Sequence, residues 1–401
     1  MSKTDSSNNK GSQSRISQKV IDIPHSGIRK FFDLISSMDD VISLGVGEPD
    51  FVTPWHIRKA AIYSLGKGYT MYTSNNGLPQ LRLELAKYLE THSSLNYNPD
   101  NEILITVGVS EGLDLTLRAI LNPNDEVIMA DPCYISYPSC TSLAGGIPIM
   151  VPTTEDNRFR ITANDVEQRI TQRTKAILLG YPANPTGAVM PKEELAKIAE
   201  LAQQHDLLVI SDEVYGQLIY GIEHTCFASL SGMRERTILL NGFSKTYAMT
   251  GWRIGYAAAT REIIGAMAKI HQHTMLCAPI MGQIAAIEAL KEGDREVEAM
   301  VKEYNQRRRV MVKGLNDIGL SCFEPEGAFY AFPSIKSSGM TSEEFAEKLL
   351  IEEKVAVVPG SAFGKCGEGY VRCCYATSLP EIQEALKRMG NFAQRHRKQP
   401  L

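Results

Sequence analysis

Several features that would place the chain in a special class are missing from its 401 residues. It has no run of eighteen apolar residues, which argues against a membrane-spanning helix. No two of its eight cysteines are spaced C-x-x-C, which argues against a zinc site. A chain of this length does not need a disulfide framework, so we expect reduced, mostly buried thiols. The net charge of −4 is small and does not indicate nucleic acid or a membrane surface as partner.

Leader and nucleotide-binding signatures are missing too. The N-terminal residues are polar and lack the apolar segment of a secretory signal, so we expect a disordered tail over residues 1–18 and a cytoplasmic location. The segment GVGEPD (45–50) begins like a dinucleotide-binding fingerprint, but Pro49 and Asp50 interrupt that pattern. No G-x-x-x-x-G-K-[ST] occurs, which excludes that route to triphosphate binding.

The apolar residues alternate between strand-like and helix-like segments from about residue 100. Short apolar runs occur at 102–107, 126–130, 175–180, 206–215, 237–242 and 253–259, and helical stretches such as 111–121 and 191–205 lie between them. This alternation indicates a mostly parallel sheet covered by helices on both faces. Ligands of such sheets bind beyond the carboxyl ends of the strands, so we expect functional residues just after each run.

The pattern changes after about residue 280. Two long polar helices are predicted over 294–316 and 342–353, with short strands at 328–332, 355–359 and 369–375. These features predict a smaller α+β domain. We therefore expect four parts: the tail (1–18), a segment that joins the small domain (19–50), a large domain (51–280) and a small C-terminal domain (281–401).

The segment NGFSKTYAMTGWRIGY (241–256) carries the first candidate residues. Lys245 follows a strand and a turn of small residues, and Arg253 is expected to begin the next strand. A lysine at the mouth of an α/β sheet can form a Schiff base with an aldehyde cofactor, and an arginine supplies a fixed charge for a phosphate. Taken alone, a lysine in a loop is more often a solvated surface charge.

The segment SDEVY (211–215) carries the second set. Asp212 ends a buried strand, where its carboxylate needs a partner, and a protonated pyridine nitrogen is a suitable one. The hydroxyl of Tyr215 could meet the phenolic oxygen of the same ring. An acidic N-cap for the next segment explains Asp212 equally well.

Two further segments are weaker signals by themselves. Asn184, in YPANPTGAV, precedes a proline and should be extended, so its amide could donate to the ring oxygen, although a plain Asn-Pro turn is also common. In TVGVSEG (106–112) a strand gives way to a helix, whose free backbone amides could hold a phosphate. An ordinary serine N-cap is the alternative there.

Together, in this order and spacing, the four segments resemble the class I/II aminotransferases of pyridoxal-phosphate (PLP) fold type I, in the aspartate/aromatic group. The resemblance extends over about residues 20–395, and SKTYAMTGWRIGY is its most specific part. It implies a large α/β domain with a mostly parallel seven-stranded sheet between helices and a smaller α+β domain. It also implies PLP as cofactor and a homodimer with shared active sites.

The resemblance implies a role for each residue at the cofactor ring. Lys245 would bind PLP covalently and act as the acid and base of the proton shift. Asp212 would pair with the ring nitrogen, Tyr215 and Asn184 would hold the phenolic oxygen, and Tyr134 would stack on the ring.

The phosphate site implied by the resemblance is shared between subunits. Val109, Ser110 and Arg253 would bind the phosphate, and Tyr72 would reach the phosphate of the neighbouring subunit. Some family members carry a serine three residues before the lysine, where this chain has Gly242, so the phosphate should depend more on the other groups.

The substrate site implied by the resemblance consists of Gly47, Asn184 and Arg372. Arg372, in YVRCCYATS, would bind the substrate's α-carboxylate through two parallel hydrogen bonds, although a surface ion pair is the alternative. Gly47 would let the backbone approach the substrate closely.

The expected reaction is a ping-pong transfer, through the PLP and pyridoxamine forms, from an L-amino acid to a 2-oxo acid such as 2-oxoglutarate. Some relatives that act on aspartate carry a lysine where Ser110 stands, so we favour an aromatic or other neutral donor. Arg29, in the segment 23–33, could supply the missing charge, which keeps aspartate or an N-acyl-diaminopimelate-type substrate open. A PLP-dependent lyase on the same fold is a further alternative, whereas a DNA-binding regulator has no room for a helix-turn-helix before the fold.

Overall fold

The computed structural model describes residues 15–21, 23 and 38–397, and these residues form thirteen α-helices and twelve strands. The helices are α1 (Gln18–Ile21), α2 (Trp55–Gly66), α3 (Pro79–Ser93), α4 (Gly108–Ile120), α5 (Ser136–Leu143), α6 (Ala163–Glu167), α7 (Lys192–Gln204), α8 (Phe243–Thr246), α9 (Arg261–Thr274), α10 (Ile280–Glu292), α11 (Asp294–Asp317), α12 (Ser342–Glu353) and α13 (Leu379–Arg395). The strands are β1 (Ile42–Ser43), β2 (Ile103–Thr106), β3 (Glu126–Asp131), β4 (Ile147–Pro152), β5 (Thr174–Gly180), β6 (Leu208–Asp212), β7 (Thr237–Gly242), β8 (Gly255–Ala258), β9 (Tyr330–Ala331), β10 (Val355–Ala356), β11 (Val358–Pro359) and β12 (Val371–Cys374).

The central sheet has seven strands in the order β2-β8-β7-β6-β5-β3-β4. The pairs from β4 through β7 are parallel, and β8 is antiparallel to both of its neighbours, β7 and β2. Six strands therefore point in one direction, and β8 alone is reversed. Because of this reversal, the beginning of β8 lies at the same edge of the sheet as the carboxyl ends of the other strands.

Both faces of the sheet are buried because its interior strands are apolar over most of their length. Alternate residues of neighbouring strands pack on one face with α7, in a cluster that contains Ile128, Ile177 and Val209. Their neighbours in sequence, such as Met129 and Leu178, pack on the other face with α4 and α9. Covering helices on both faces leave the strand ends as the place where polar groups can meet a ligand.

Two small sheets accompany the central one. β11, β12 and β9 form an antiparallel sheet, in which Val358 pairs with Arg372 and Cys374 pairs with Tyr330. β1 pairs with β10 in parallel, so the residues just after position 40 lie beside the C-terminal part of the chain. The predicted fold class is confirmed, while the domain boundaries at residues 50 and 280 stay predictions.

The sequence-based reading missed β4 and misplaced Arg253. Strand β4 contains Pro148 and Pro152 and is only half-buried, because it lies at the edge of the sheet, where proline does not interrupt the ladder. Arg253 was expected to begin a strand, but it ends the short 3₁₀ helix Thr250–Trp252 in a left-handed conformation (φ 56°), two residues before β8. Helix α4 begins at Gly108, so Ser110 lies in its first turn and Val107 is the N-cap.

Some expectations concern residues that the structure does not describe. Of the expected tail, residues 1–14 lie outside the described part, and residue 18 begins α1; Arg29 also lies outside it. No helix in the described part of the chain is long and apolar enough to cross a membrane, and the same residues contain no cluster of side chains suited to a metal ion. All eight cysteines are free, and five of them are buried, as expected.

Candidate active site

One edge of the central sheet collects the polar residues that follow its strands. Asp212 is the last residue of β6, and Asn184 follows β5. Lys245 lies in α8, directly after β7, and Arg253 lies just before the reversed strand β8. The reversal of β8 therefore explains how a residue that precedes a strand joins residues that follow strands.

These residues line a cavity of about 520 Å³. Ten of the eleven site residues predicted from the sequence contribute to its wall: Gly47, Val109, Ser110, Tyr134, Asn184, Asp212, Tyr215, Lys245, Arg253 and Arg372. The eleventh, Tyr72, is 79% exposed and lies between α2 and α3, outside this cavity. The size suits a small organic molecule.

Lys245 presents its amine to the inside of the cavity. Its Nζ donates a hydrogen bond of 2.6 Å to the carbonyl oxygen of Gly47. Burial lowers the pKa of the Lys245 amine to about 8. A substantial neutral fraction is therefore present near pH 8, as a nucleophile or a general base requires.

Asp212 is a buried carboxyl group with neutral partners. The hydroxyl of Tyr137 donates to its Oδ2 at 2.9 Å, and the backbone N–H of Val214 donates to its Oδ1 at 3.2 Å. Burial raises the pKa of Asp212 to about 6. The hydrogen bond from Val214 is of the kind expected if Asp212 caps the next segment, which was the alternative explanation for this residue. Asp212 also lines the cavity.

Tyr137 was not predicted from the sequence. It lies in the first turn of α5, three residues after Tyr134, and the two rings meet edge to face at 5.5 Å between centroids. A side chain at Gly180, which pairs with Asp212 across β5 and β6, would collide with the Tyr137 hydroxyl. The sequence feature that could have indicated Tyr137 is its spacing: it is a second tyrosine, three residues after Tyr134.

Arg372 is buried and already oriented. Its Nη1 donates to Oδ1 of Asn184 at 2.8 Å and its Nη2 donates to the carbonyl oxygen of Gly45 at 2.7 Å. Its buried Nε has no hydrogen-bond partner among the described residues. An anion that reached Nε would satisfy this donor, and the bond to Arg372 leaves the amide nitrogen of Asn184 to donate elsewhere.

Two buried tyrosines add a pair of hydroxyl groups to the cavity wall. The hydroxyl groups of Tyr215 and Tyr330 are 2.6 Å apart and hydrogen-bonded, and both residues line the cavity. The sequence-based reading recognised the strand around Tyr330 but gave this residue no role. Its contacts come from three distant segments of the chain, which no local pattern reveals.

The opposite end of the cavity is more open. Val109 and Ser110 lie in the first turn of α4, where backbone N–H groups have no partner within the helix. Arg253 is exposed, and its Nη1 donates to the carbonyl oxygen of Thr250 at 3.0 Å. A Cβ at Gly108 would lie 2.5 Å from Nη2 of Arg253, so the guanidinium rests against the start of α4. Helix amides beside an arginine make an anion site.

Comparison with known proteins identifies the family to which the chain belongs. The sequence model described as "Aminotransferase class I and II" matches residues 39–389, most of the chain. This chain belongs to the class I and II aminotransferase family. Membership supports an enzyme that transfers amino groups, and it agrees with the resemblance seen in the four sequence segments.

Individual relatives of this family member match over nearly their whole length. The Bacillus subtilis (strain 168) protein YugH is 58% identical over 94% of this chain and 98% of its own. The aspartate aminotransferase of Pyrococcus abyssi is 48% identical over 91% of this chain and 94% of its own. The crystal structure of an aromatic aminotransferase from Pyrococcus horikoshii superposes with a TM-score of 0.87 at 45% identity, covering 92% of this chain and 99% of that one.

Proposed function

We propose that the protein is a PLP-dependent aminotransferase with Lys245 as the residue that binds the cofactor covalently. The observation that carries this proposal is the meeting of three groups in one cavity: the Lys245 amine, the Asp212 carboxyl group and the Arg372 guanidinium. An aldehyde cofactor, its ring nitrogen and a substrate carboxylate need these three chemical types. The family match supports the same reaction class.

The residues present fit such a cofactor. The raised pKa of buried Asp212 means that hydrogen bonds from the protein compensate its ionised form only in part, and a protonated pyridine nitrogen would provide the rest. The first turn of α4 and Arg253 would take the phosphate, and the half-buried ring of Tyr134 would stack on the pyridine. Tyr215 and the free amide nitrogen of Asn184 would hold the phenolic oxygen.

Three residues of the cavity then have separate roles in the reaction. Bound PLP supplies an electron sink for the electron pair that remains when a proton leaves the donor's Cα. Asp212 holds a proton on the ring nitrogen, and Lys245 Nζ removes the proton from Cα, since its lowered pKa keeps part of the amine neutral. Arg372 orients the donor through its α-carboxylate. Two half-reactions of this kind move the amino group from donor to acceptor.

We propose an aromatic or other neutral amino acid as donor and 2-oxoglutarate as acceptor. Apart from Lys245, Arg253 and Arg372, the cavity wall in the described part of the chain contains no basic side chain, and Glu48 adds a carboxylate. A side-chain carboxylate on either substrate would meet Glu48 without a cationic partner in this part of the wall, so the wall favours a neutral donor, and 2-oxoglutarate needs a cation from elsewhere, such as Arg29. Relatives named for aspartate and for aromatic amino acids match at 48% and 44% identity, so identity alone does not separate the two substrates.

We also propose a homodimer in which Tyr72 serves the neighbouring site. Large apolar side chains are exposed along α2 and on both sides of it: Val52, Trp55, Ile62, Tyr63, Tyr69, Met71 and Tyr72. Exposed apolar side chains grouped in one stretch of the chain are typical of an interface. Mixing Lys245→Ala and Tyr72→Ala protomers tests the sharing, because each hybrid dimer would contain one complete site. Recovery of activity is expected, whereas mixtures as inactive as their components would contradict a shared site.

The function is tested by absorbance and by product analysis. Purified protein with PLP should be yellow and should bleach when an amino acid is added; borohydride reduction should fix the cofactor on the peptide that contains Lys245. Keto acid plus glutamate should form from a donor and 2-oxoglutarate. Pyruvate and ammonia formed without an acceptor would favour the lyase, and absence of a cofactor band would contradict the proposal.

A panel of amino donors tests the proposed donor preference. Phenylalanine, tyrosine, alanine and aspartate are compared by kcat/KM with 2-oxoglutarate, and pyruvate is compared as acceptor because 2-oxoglutarate brings a second carboxylate past Glu48. The aromatic donors should be preferred. A tenfold or greater preference for aspartate over phenylalanine and tyrosine would overturn the proposed donor while leaving the reaction class intact.

A further inference from the structure

Tyr330 contacts two of the residues to which roles are proposed in the cavity, Tyr215 and Arg372. Its hydroxyl group is hydrogen-bonded to that of Tyr215 at 2.6 Å, and the guanidinium carbon of Arg372 lies 4.5 Å from the centroid of its ring. The residue is 1% exposed, so neither contact competes with bulk water. One side chain therefore joins the group proposed for the substrate carboxylate to a group proposed for the cofactor ring.

Strand pairing fixes this arrangement. Tyr330 in β9 pairs with Cys374 in β12, and Arg372 lies two residues before Cys374, so both side chains leave the same face of the small sheet. The ring of Phe329 packs against Tyr330 at 4.9 Å and limits its movement. The position of Tyr330 thus depends on the rigid backbone of two strands.

Gly47 adds a second constraint on the Tyr330 hydroxyl. A Cβ at position 47 would lie 2.5 Å from that oxygen, so only glycine leaves room for it. The carbonyl oxygen of Gly47 also accepts the hydrogen bond from Lys245 Nζ. Gly47 was predicted to let the backbone approach the substrate; its contacts here are with Tyr330 and Lys245.

We propose that Tyr330 is a positioning residue that acts through Tyr215 on the cofactor's phenolic oxygen and through its ring on Arg372. The inference rests on the proposed function, since it needs the cofactor in this cavity. Of two hydrogen-bonded hydroxyl groups, one donates to the other, and one proton remains free. With Tyr330 as the donor, the free proton belongs to Tyr215, which is three residues from Asp212 and so belongs to the proposed ring site.

The physical effect is a stronger hydrogen bond from Tyr215. A hydroxyl group that accepts one hydrogen bond becomes a better donor of its own proton, especially in a buried site. Tyr215 would then stabilise the deprotonated, negatively charged form of the phenolic oxygen. The titratable groups around this pair are Arg372 and Cys374 on β12, Lys245 on α8, and Tyr134, and none of them is changed by removing a single hydroxyl group.

The first experiment is Tyr330→Phe in the cofactor-loaded protein. The pH at which the absorbance of the bound cofactor changes should rise by about 0.1 to 0.6 unit, because the loss of the Tyr330 hydroxyl group weakens the Tyr215 hydrogen bond by about 10–30% without removing it. The phenylalanine ring remains beneath Arg372, so KM for the amino donor should stay within about twofold. Tyr97→Phe is the control, because that buried hydroxyl has no partner in the described residues and lies outside the cavity.

A double-mutant cycle tests whether Tyr330 acts through Tyr215. If it does, Tyr330→Phe should shift the absorbance midpoint in the wild type but not in a Tyr215→Phe background. Equal shifts in both backgrounds would contradict the relay. A merely structural role for Tyr330 would change thermal stability in both backgrounds without this loss of effect.

Two further variants separate the hydroxyl group from the ring. Tyr330→Leu removes both, so KM for the donor should rise roughly three- to tenfold in addition to the midpoint shift. Gly47→Ala keeps every reacting side chain but displaces the Tyr330 hydroxyl, and it should raise the midpoint in the same direction. A wild-type protein without a cofactor band would refute the proposed function, whereas a normal wild type with unshifted Tyr330→Phe would refute only this inference.

Discussion

The two ends of the cavity are built differently. At the carboxylate end, Arg372 is 5% exposed and is held by Asn184 and Gly45, which are distant from it in sequence. At the phosphate end, Arg253 is exposed, and within the described residues its hydrogen bond goes to its own loop, at Thr250. A buried, pre-oriented arginine selects a ligand by geometry, while an exposed one attracts an anion by charge that salt can screen. The first end should therefore govern substrate binding and the second cofactor affinity.

Lys245 lies between the two ends and should show the largest effect. Lys245→Ala should reduce the rate of amino transfer by about 10⁴-fold or more, because both covalent attachment and proton transfer are lost. The first half-reaction with excess donor is the measurement. Lys348→Ala, on the exposed face of α12, is the control and should keep full activity; a Lys245→Ala protein within tenfold of the wild type would contradict the assignment.

Arg372→Lys tests the carboxylate end. Lysine keeps the charge but loses the planar pair of donors, so kcat/KM for the donor should fall by about 10²- to 10³-fold. The cofactor Kd should change by less than about threefold, since Arg372 is assigned to the substrate. Arg388→Lys, in α13 and outside the cavity, serves as the matched control. A large loss of cofactor affinity in Arg372→Lys would remove the distinction between the two ends.

Asp212→Asn measures the cost of the buried carboxyl group. Because the pKa of Asp212 is raised to about 6, its contribution to stability is full below about pH 4 and is lost as the pH rises through about 6. The asparagine variant without cofactor should therefore gain up to about 3 kcal/mol in unfolding free energy at pH 7 and nothing near pH 4. Denaturant titrations at both pH values check this, with exposed Asp317→Asn as control. An equal gain at both pH values would contradict the charge explanation.

Arg253→Gln tests the phosphate end and should give the smallest effect. Cofactor Kd should rise roughly tenfold, because one exposed charge-assisted contact is lost among several. The affinity of the wild type should fall with added salt, and that of the variant should fall less. Fluorescence or absorbance titration of the cofactor at two salt concentrations is the measurement. Identical salt dependence in the two proteins would show that Arg253 does not face the phosphate.

The same contrast explains what could be predicted from the sequence. The residues that follow strands, such as Asp212, Asn184 and Lys245, were predicted because a parallel sheet brings strand ends to one edge, whatever its other details. Edge strand β4 was missed because its prolines and half-buried pattern do not look like the interior strands. The predicted position of Arg253 at the start of a strand was wrong, because the pattern of apolar residues does not reveal a left-handed residue.

Contacts between distant segments could not be predicted from the sequence. Tyr137 reaches Asp212 only because Gly180 lacks a side chain, and Tyr330 reaches Tyr215 only because the small sheet packs beside the large one. Neither pair has a local signature. The family resemblance supplied roles for single positions, whereas the partners that orient those positions had to come from three-dimensional packing.

A crystal structure of the protein with PLP bound is the decisive test of the roles proposed for Lys245 and Asp212. We expect a covalent bond between Lys245 Nζ and the cofactor, with a carboxylate oxygen of Asp212 about 2.7–3.0 Å from the ring nitrogen on the far side of the ring. Cofactor bound elsewhere, or in this cavity with its ring nitrogen turned away from Asp212, would contradict these roles.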